Sequence, residues 1–358
     1  MKNVIVSATA LASSGGLSIL KQFLRFASTQ TDVKFIAYVP DWIELESYNN
    51  IVYIKSGKKN WLQRILWDSR DLQREIKRLG LKVDCVISLQ NTSVNVPFNQ
   101  LVYIQQSIPF SDLKTPFTKS GIKIWFYKKF YSFFIFLFSN KNARFFVQTE
   151  WMRDAIIRKG TIAPEIISVV KPELNIDGLC ELDIQKDKTV IDILYPATPF
   201  FYKQHNLFID ILKGAKDKYD LKNIRVHFTF TPDMNPQFVE EIKANGLFEQ
   251  FIFHGVLSQP KLYELYNYVD LIVFPSLLET VGLPLLEAAY LGKPVLVSDL
   301  PYAHEVLKNY EGAFFLNSND GVEWAEMLSK YHSGTIPEKY KSLNFDTSDG
   351  WMVFRDFF

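Results

Sequence analysis

Residues Phe274–Glu305 read FPSLLETVGLPLLEAAYLGKPVLVSDLPYAHE, and their reading decides the fold. The short apolar run Leu271–Phe274 suits a buried strand. It leads into a loop that carries Glu279. Gly282 and Pro284 then open a helix that carries Glu287, because proline favours the first helical turn, where its missing N–H would be unpaired anyway. A second apolar strand follows at Pro294–Val297, and Ser298 and Asp299 end it. This order puts a helix N-terminus, Val281–Leu285, at the carboxyl end of a sheet. Ligands of open α/β sheets bind at that edge, and helix N-termini hold anions such as phosphate. Two carboxylates beside an anion would repel it unless they serve another part of the ligand. Hydroxyl-rich groups, a ribose and a sugar, would satisfy them.

The whole block is dense in signal: P-S-x-x-E-T-x-G-L-P-x-x-E-A, then G-K-P-V, S-D-x-P and H-E-V. Glu279 and Glu287 with seven residues between them resemble the E-x7-E signature of retaining family 4 glycosyltransferases, also described as glycosyl transferases group 1. That resemblance implies the GT-B fold, an α/β architecture of two Rossmann-like domains facing across a cleft. It is dense over Val190–Val306 and sparser over Ala143–Pro172.

The rest of the chain fits two such domains. Its 358 residues hold two cores, and 47% apolar with 22% charged residues is ordinary for a globular protein. Strand patterns at Val4–Ala8, Val33–Val39, Ile51–Ile54, Val83–Ser88, Leu101–Ile104 and Phe145–Gln148 alternate with helical patterns at Trp61–Leu79 and Trp151–Lys159. Such alternation implies parallel sheets. The mixed polar stretch KPELNIDGLCELDIQKDK breaks it, and the pattern restarts at Thr189. We therefore expect a first domain over 1–172, a linker over 173–188 and a second domain over 189–345. The tail 346–358 is expected to be helical, with Trp351, Phe354, Phe357 and Phe358 on one apolar stripe; in GT-B enzymes the last helix crosses back onto the first domain.

What the resemblance implies for single residues follows from breaking a sugar–diphosphate bond. Charge develops on the departing diphosphate, and a lysine with a helix N-terminus stabilises it without metal. Lys203, in YPATPFFYKQHNLF, matches the phosphate-binding lysine of the family. The arginine that often precedes it is absent; Ala197 and Thr198 occupy that region. Glu287 would accept hydrogen bonds from the ribose hydroxyls, and Glu279 would contact the donor sugar. The backbone around Thr280, Val281, Gly282 and Leu283 would meet sugar or phosphate oxygens. Gly15 and Gly16 resemble the glycine loop after the first strand, although a bare Gly-Gly also fits a simple turn. His205 and Gly255 complete the expected donor side. On the acceptor side, Gln105 and Gln106 stand where many relatives carry a histidine. Glutamine is no base, but front-face displacement, in which the leaving phosphate takes the acceptor proton, needs none.

The implied reaction moves a sugar from a nucleoside-diphosphate sugar to a glycan or lipid-linked acceptor, as in surface polysaccharide biosynthesis. No cofactor is expected. The five histidines are scattered without metal-ligand spacing, and there is no Asp-x-Asp, Walker loop or Ser-His-Asp order. A net charge of +1 implies no nucleic-acid partner. Two cysteines, Cys85 and Cys180, argue for a reducing, cytoplasmic setting. Met1–Ala12 has some features of a secretory leader, yet Ser7 and Thr9 interrupt its apolar run, and it reads better as a first strand leading into a glycine turn and helix. The segment 119–144 contains IKIWFYKKFYSFFIFLF with basic flanks. Its uncharged run is too short for a bilayer span, which takes about 20 residues. Two readings stay open: a core helix with a solvated basic face, and a basic aromatic helix resting on the inner face of an anionic membrane. A different class of function, a non-catalytic sugar-nucleotide-binding or scaffold subunit of a polysaccharide assembly, draws on the missing arginine and histidine. GT-B-shaped epimerases and phosphorylases fit the fold but not the Glu279–Glu287 block.

Overall fold

The computed structural model describes residues 1–358 except 13, 58, 116–118, 161, 175, 177, 183, 185, 187, 188 and 345–349, and excepting the side chains of 14, 119 and 120. Part of the expected linker, the first residue of the expected glycine turn and the start of the tail thus lie outside the described residues. The chain divides into two compact units, Met1–Glu173 with Thr347–Phe358, and Leu174–Asp346.

The first unit carries, among the described residues, a seven-stranded parallel sheet in the order β3-β2-β1-β4-β5-β6-β7. Its strands are β1 (Lys2–Ser7), β2 (Val33–Pro40), β3 (Ile51–Ser56), β4 (Cys85–Ser88), β5 (Asn99–Ile104), β6 (Ala143–Val147) and β7 (Ile167–Val169). Central strands such as β4 are buried from end to end, which is why they read as unbroken apolar runs. Helices α1 (Ser14–Thr29), α2 (Trp61–Leu66), α3 (Leu72–Leu79), α4 (Lys119–Phe136) and α5 (Glu150–Arg158) connect them. The pattern Trp61–Leu79 predicts a single helix. The structure instead inserts a π-helical turn, Trp67–Asp71, between α2 and α3. The wider turn lets the neighbouring residues Trp67 and Asp68 both face inward, and both are buried.

The final residues belong to this unit's core. Trp351, Phe354 and Phe358 pack with Phe23, Phe35, Tyr103 and Phe146, and the Phe354 ring stacks on Phe146 with centroids 4.4 Å apart. The segment Gly350–Phe357 is helical, as the spacing suggested, and its helix is of the 3-10 kind. Residues three apart eclipse in a 3-10 helix, so Trp351, Phe354 and Phe357 line up on one side. Gly350 is obligatory at its start, because a Cβ there would meet the Lys171 carbonyl oxygen at 2.9 Å.

The second unit holds, among the described residues, a six-stranded parallel sheet in the order β10-β9-β8-β11-β12-β13. The strands are β8 (Ile191–Tyr195), β9 (Ile224–Phe228), β10 (Phe251–Phe253), β11 (Leu271–Phe274), β12 (Val295–Ser298) and β13 (Ala313–Leu316). Helices α6 (Leu207–Tyr219), α7 (Pro236–Ala244), α8 (Gln259–Tyr268), α9 (Leu283–Tyr290), α10 (Pro301–Val306) and α11 (Gly321–His332) surround it. Helix α10 has no counterpart among the sequence expectations, because six residues are too few to show a period. Close packing of α11 on α6 depends on Gly321, where a Cβ would lie 2.6 Å from that of Asp210. In both sheets the order reverses beside the first strand, between β1 and β4 and between β8 and β11. These are the doubly wound switch points at which ligands of such folds bind. Among the described residues no helix is long and apolar enough to cross a membrane.

Candidate functional site

Parallel strands put the loops after β8, β10 and β11 on one edge of the second sheet, and the predicted donor residues fall in those loops. Lys203 closes a 3-10 turn, Phe201–Lys203, after β8. Glu279 lies in the loop after β11. The two side chains form an ion pair, each less than 15% exposed. The loops are tied by their backbones: the Leu277 N–H donates to the Tyr202 carbonyl at 2.7 Å. The Tyr195 hydroxyl donates to the Lys203 carbonyl at 2.8 Å, and the Tyr302 hydroxyl to the Ser276 carbonyl at 2.6 Å. Burial, with the Glu279 charge adding to it, holds both phenols well above their ordinary range. They therefore stay neutral donors that fix the loops carrying the charged pair. Sequence reasoning missed Tyr195 and Tyr302 in this supporting role, since a tyrosine in an apolar strand or a short helix carries no local signal, and it read Ser276 only as part of the P-S-x-x-E motif.

Gly282 caps α9 with φ +80°, a left-handed conformation that favours glycine. A Cβ there would press on Leu285 at 3.2 Å and would touch the Glu279 side chain at 3.6 Å. The glycine thus turns the chain sharply between Glu279 and the first turn of α9, where the Leu285 N–H donates to the Gly282 carbonyl at 2.8 Å. Val281 is buried beside it, and Thr280 and Leu283 are half-buried. Glu287 lies one turn into α9. Its burial pushes the carboxyl up to about 7, against the pull of a hydrogen bond with the Tyr266 hydroxyl. Gly255, after β10, also has positive φ, and a Cβ there would press on Thr231 at 3.2 Å.

His205 does not sit at the surface of this edge. It is 3% exposed, with the rings of Tyr195, Phe228 and Phe230 about it at centroid distances of 4.9 to 5.1 Å. Burial pushes its pKa down to about 3, so it is neutral; a hydrogen bond to the Ala197 backbone opposes that shift. It supports the Lys203 loop from beneath. His227 and His254 are joined at 2.9 Å, and His227 meets Asp192 at 2.9 Å. Asp192 also binds Arg225 and Lys186. Burial alone would raise the Asp192 carboxyl, but the His227 and Arg225 hydrogen bonds and the Lys186 charge outweigh it and hold the group at about 2. Asp192 and Arg225 lie near the starts of β8 and β9, at the opposite edge from Lys203, and this cluster reads as structural.

Residues 183–344 match the family model for glycosyl transferases group 1. This segment is a group 1 glycosyltransferase domain. Over 221 residues the chain is 28% identical to the O-antigen chain mannosyltransferase RfbU of Salmonella typhimurium, covering 61% of this chain and 59% of that protein. It therefore spans less than two thirds of that relative. Among solved structures, WaaG, a glycosyltransferase involved in lipopolysaccharide biosynthesis, superposes with a TM-score of 0.66 over 99% of both chains at 15% identity. HepE of Anabaena, in complex with UDP and glucose, gives 0.67 over 100% of this chain and 96% of its own, at 12% identity. These likenesses establish the GT-B fold for the chain.

The group 1 domain thus contains Lys203, Glu279, Gly282, Glu287 and Gly255. Thr280, Val281, Leu283 and His205 lie in it too, and only Gly15, Gly16, Gln105 and Gln106 lie in the first unit. Gly15 and Gly16 are not in a loop ahead of the first helix; they form part of the first turn of α1, and the turn itself runs through 8–12. A Cβ at Gly16 would touch Leu11 at 3.2 Å, so this glycine admits the Leu11 side chain. Gln105 is held by the loop after β4: its side chain donates to the Leu89 carbonyl at 2.9 Å, and its N–H to Asn91 at 2.6 Å. Gln106 reaches the Tyr127 hydroxyl. Both follow β5 at the carboxyl edge of the first sheet.

Proposed function

We propose that this protein is a retaining glycosyltransferase that moves a hexose from a nucleoside-diphosphate sugar to a glycan or lipid-linked acceptor in surface polysaccharide assembly. The observation that carries the reading is the Lys203–Glu279 pair beside the Gly282 cap of α9. In the ligand-free protein Glu279 holds the lysine in place. A bound diphosphate competes for that lysine, and the freed Glu279 turns to the donor sugar's hydroxyls. Glu287 accepts from the ribose. As the bond between the anomeric carbon and the phosphate oxygen breaks, Lys203 and the positive end of α9 stabilise the departing charge. The acceptor oxygen bonds the same face of that carbon, and its proton passes to the leaving phosphate oxygen. The lysine supplies the charge that a metal would otherwise bring, so chelator should leave turnover intact.

Mannose is the first sugar to test, because RfbU is an O-antigen chain mannosyltransferase. A cytoplasmic chain resting on the inner face of the membrane fits the acceptor. Helix α4 packs Tyr131 and Ile135 inward, yet leaves Trp125, Phe126, Phe130 and Phe133 about half exposed. Lys114, Lys128, Lys129 and Lys159 line a surface pocket beside Trp125. Aromatic rings with lysines around them suit an anionic lipid surface.

The test is calorimetric binding of UDP, GDP, dTDP and CMP, repeated on Lys203→Ala, followed by turnover of the matching sugar nucleotides, mannose first. One diphosphate bound by the wild type and lost in the variant, with its sugar nucleotide turned over, is expected. A protein that holds nucleotide but never releases it from a sugar nucleotide would be a scaffold subunit instead.

A further inference from the structure

The loop after β8 carries one cation, Lys203, and no arginine. A diphosphate that departs from a sugar carries more negative charge than one lysine offsets, so a further donor on this edge would lower the barrier. Tyr202, the residue before that lysine, has both the position and a free hydroxyl. Its ring is wedged by its own loop. Phe200 stacks on it with centroids 5.6 Å apart and planes within 12°, and Phe201 meets it edge-on at 5.4 Å. Its carbonyl accepts the Leu277 N–H, which ties it to the loop carrying Glu279. The Lys203 ammonium lies 5.6 Å from the centre of the same ring, so an anion held by the lysine lies beside the phenol.

The neighbouring phenols differ from it. Tyr195 and Tyr302 are buried, and each hydroxyl donates to a backbone carbonyl. Tyr202 is half-buried, and its hydroxyl has no hydrogen-bond partner among the described residues. Burial, with the Glu279 charge adding to it, pushes this phenol up to about 12. It therefore keeps its proton and is a neutral donor, not a base. Packing the loop would need only the ring, which phenylalanine supplies at the two preceding positions. Fixing the loop falls to Tyr195 and to the Leu277 N–H. Neither task uses the Tyr202 hydroxyl. We propose that the Tyr202 hydroxyl donates to an oxygen of the donor's sugar-linked phosphate, beside the Lys203 ammonium, and that this bond tightens as charge builds on the leaving group. The inference rests on the glycosyltransferase reading and adds Tyr202 to its donor site as a further catalytic residue.

The experiment is calorimetry on the full chain with UDP, GDP and dTDP, and with UMP, GMP and dTMP, for wild type, Tyr202→Phe and Lys203→Ala. Tyr202→Phe keeps the ring and removes one O–H that the fold does not use, so thermal unfolding should not move. The Kd of the diphosphate that the wild type binds should rise about tenfold or more, the weight of a hydrogen bond to a charged group. Its monophosphate lacks the sugar-linked phosphate and should bind both proteins equally. With the matching sugar nucleotide, kcat should fall at least as far, because the bond is strongest in the transition state. Diphosphate affinity lost in Lys203→Ala but kept in Tyr202→Phe would overturn the Tyr202 role and leave the donor site standing. Equal weakening of diphosphate and monophosphate, or a lower Tm in Tyr202→Phe, would assign the hydroxyl to the fold and overturn it as well. Diphosphate binding blind to Lys203→Ala, or no binding at all, would sink the donor-site reading itself and the inference with it.

Discussion

Residue by residue, the site is a set of charges held where water is scarce. In the proposed reaction Lys203 carries a charge that matters most as the diphosphate leaves, so Lys203→Ala should slow transfer about a hundredfold or more. Glu287→Ala should instead raise the nucleotide Kd, by about tenfold to a hundredfold, whereas Glu279→Ala should mainly slow sugar transfer. Steady-state kinetics beside calorimetry separate the three, and identical small effects in both assays would remove the assignment. Glu287 also gives a pH signature. Its folded pKa of about 7 lies above the ordinary carboxylate value, so the folded state binds the proton more tightly than the unfolded one. Its share of stability is therefore full below the unfolded pKa and is lost as pH rises toward 7. Wild type should lose about 2 kcal/mol from this group between pH 5 and 8, and Glu287→Gln should flatten that slope in urea titrations. Parallel slopes for the two proteins would refute it.

Among the elements, the turn at Gly282 and the face of α4 make separable claims. Gly282→Ala forces a side chain into φ +80°, which costs about 1–2 kcal/mol. On the proposed donor site it should also weaken nucleotide binding, because the turn sets where α9 begins beside Glu279. Binding unchanged in a destabilised variant would mean that the turn serves folding alone. In α4 the inner face packs on the sheet while the outer rings of Phe126 and Phe130 stack on each other at 5.9 Å. Phe126→Glu with Phe130→Glu should leave thermal unfolding nearly unchanged, since surface changes usually stay within about 0.5 kcal/mol. Cosedimentation with vesicles rich in anionic lipid should be lost. A large fall in Tm would show that the face is covered in solution.

For the molecule as a whole, the consequence lies in the tail. Residues at the end of the chain complete the core of the unit that begins it, so the first unit is discontinuous in sequence. Trp351→Ala removes a ring with no exposed surface, at a cost of about 3–5 kcal/mol. Denaturant unfolding should then show the first unit's transition moving to lower urea while nucleotide protection of the second unit persists. A single transition that shifts as one would mean that the units unfold together.

Much of this was written in local sequence. The strand–loop–helix–strand order around Glu279 and Glu287 was legible because parallel buried strands are continuous apolar runs and because proline and glycine mark helix starts. The resemblance singles out Glu279 and Glu287 in this block and Lys203 in the separate stretch YPATPFFYKQHNLF, each in a loop or helix start that follows an apolar strand. What depended on distant segments was not legible. No pattern announces the π-turn that turns Asp68 inward, the 3-10 helix that lines up Trp351 and Phe354, or the short α10 that brings Tyr302 to Ser276. The sequence reading puts His205 on the donor side, and nothing local shows that Tyr195 from β8, Phe228 from β9 and Phe230 just beyond it close over its ring. Periodicity reports which face of an element is apolar, because that is set by neighbours three or four residues away. Which residues meet across elements is set by packing between segments far apart in the chain, and only the folded structure decides it.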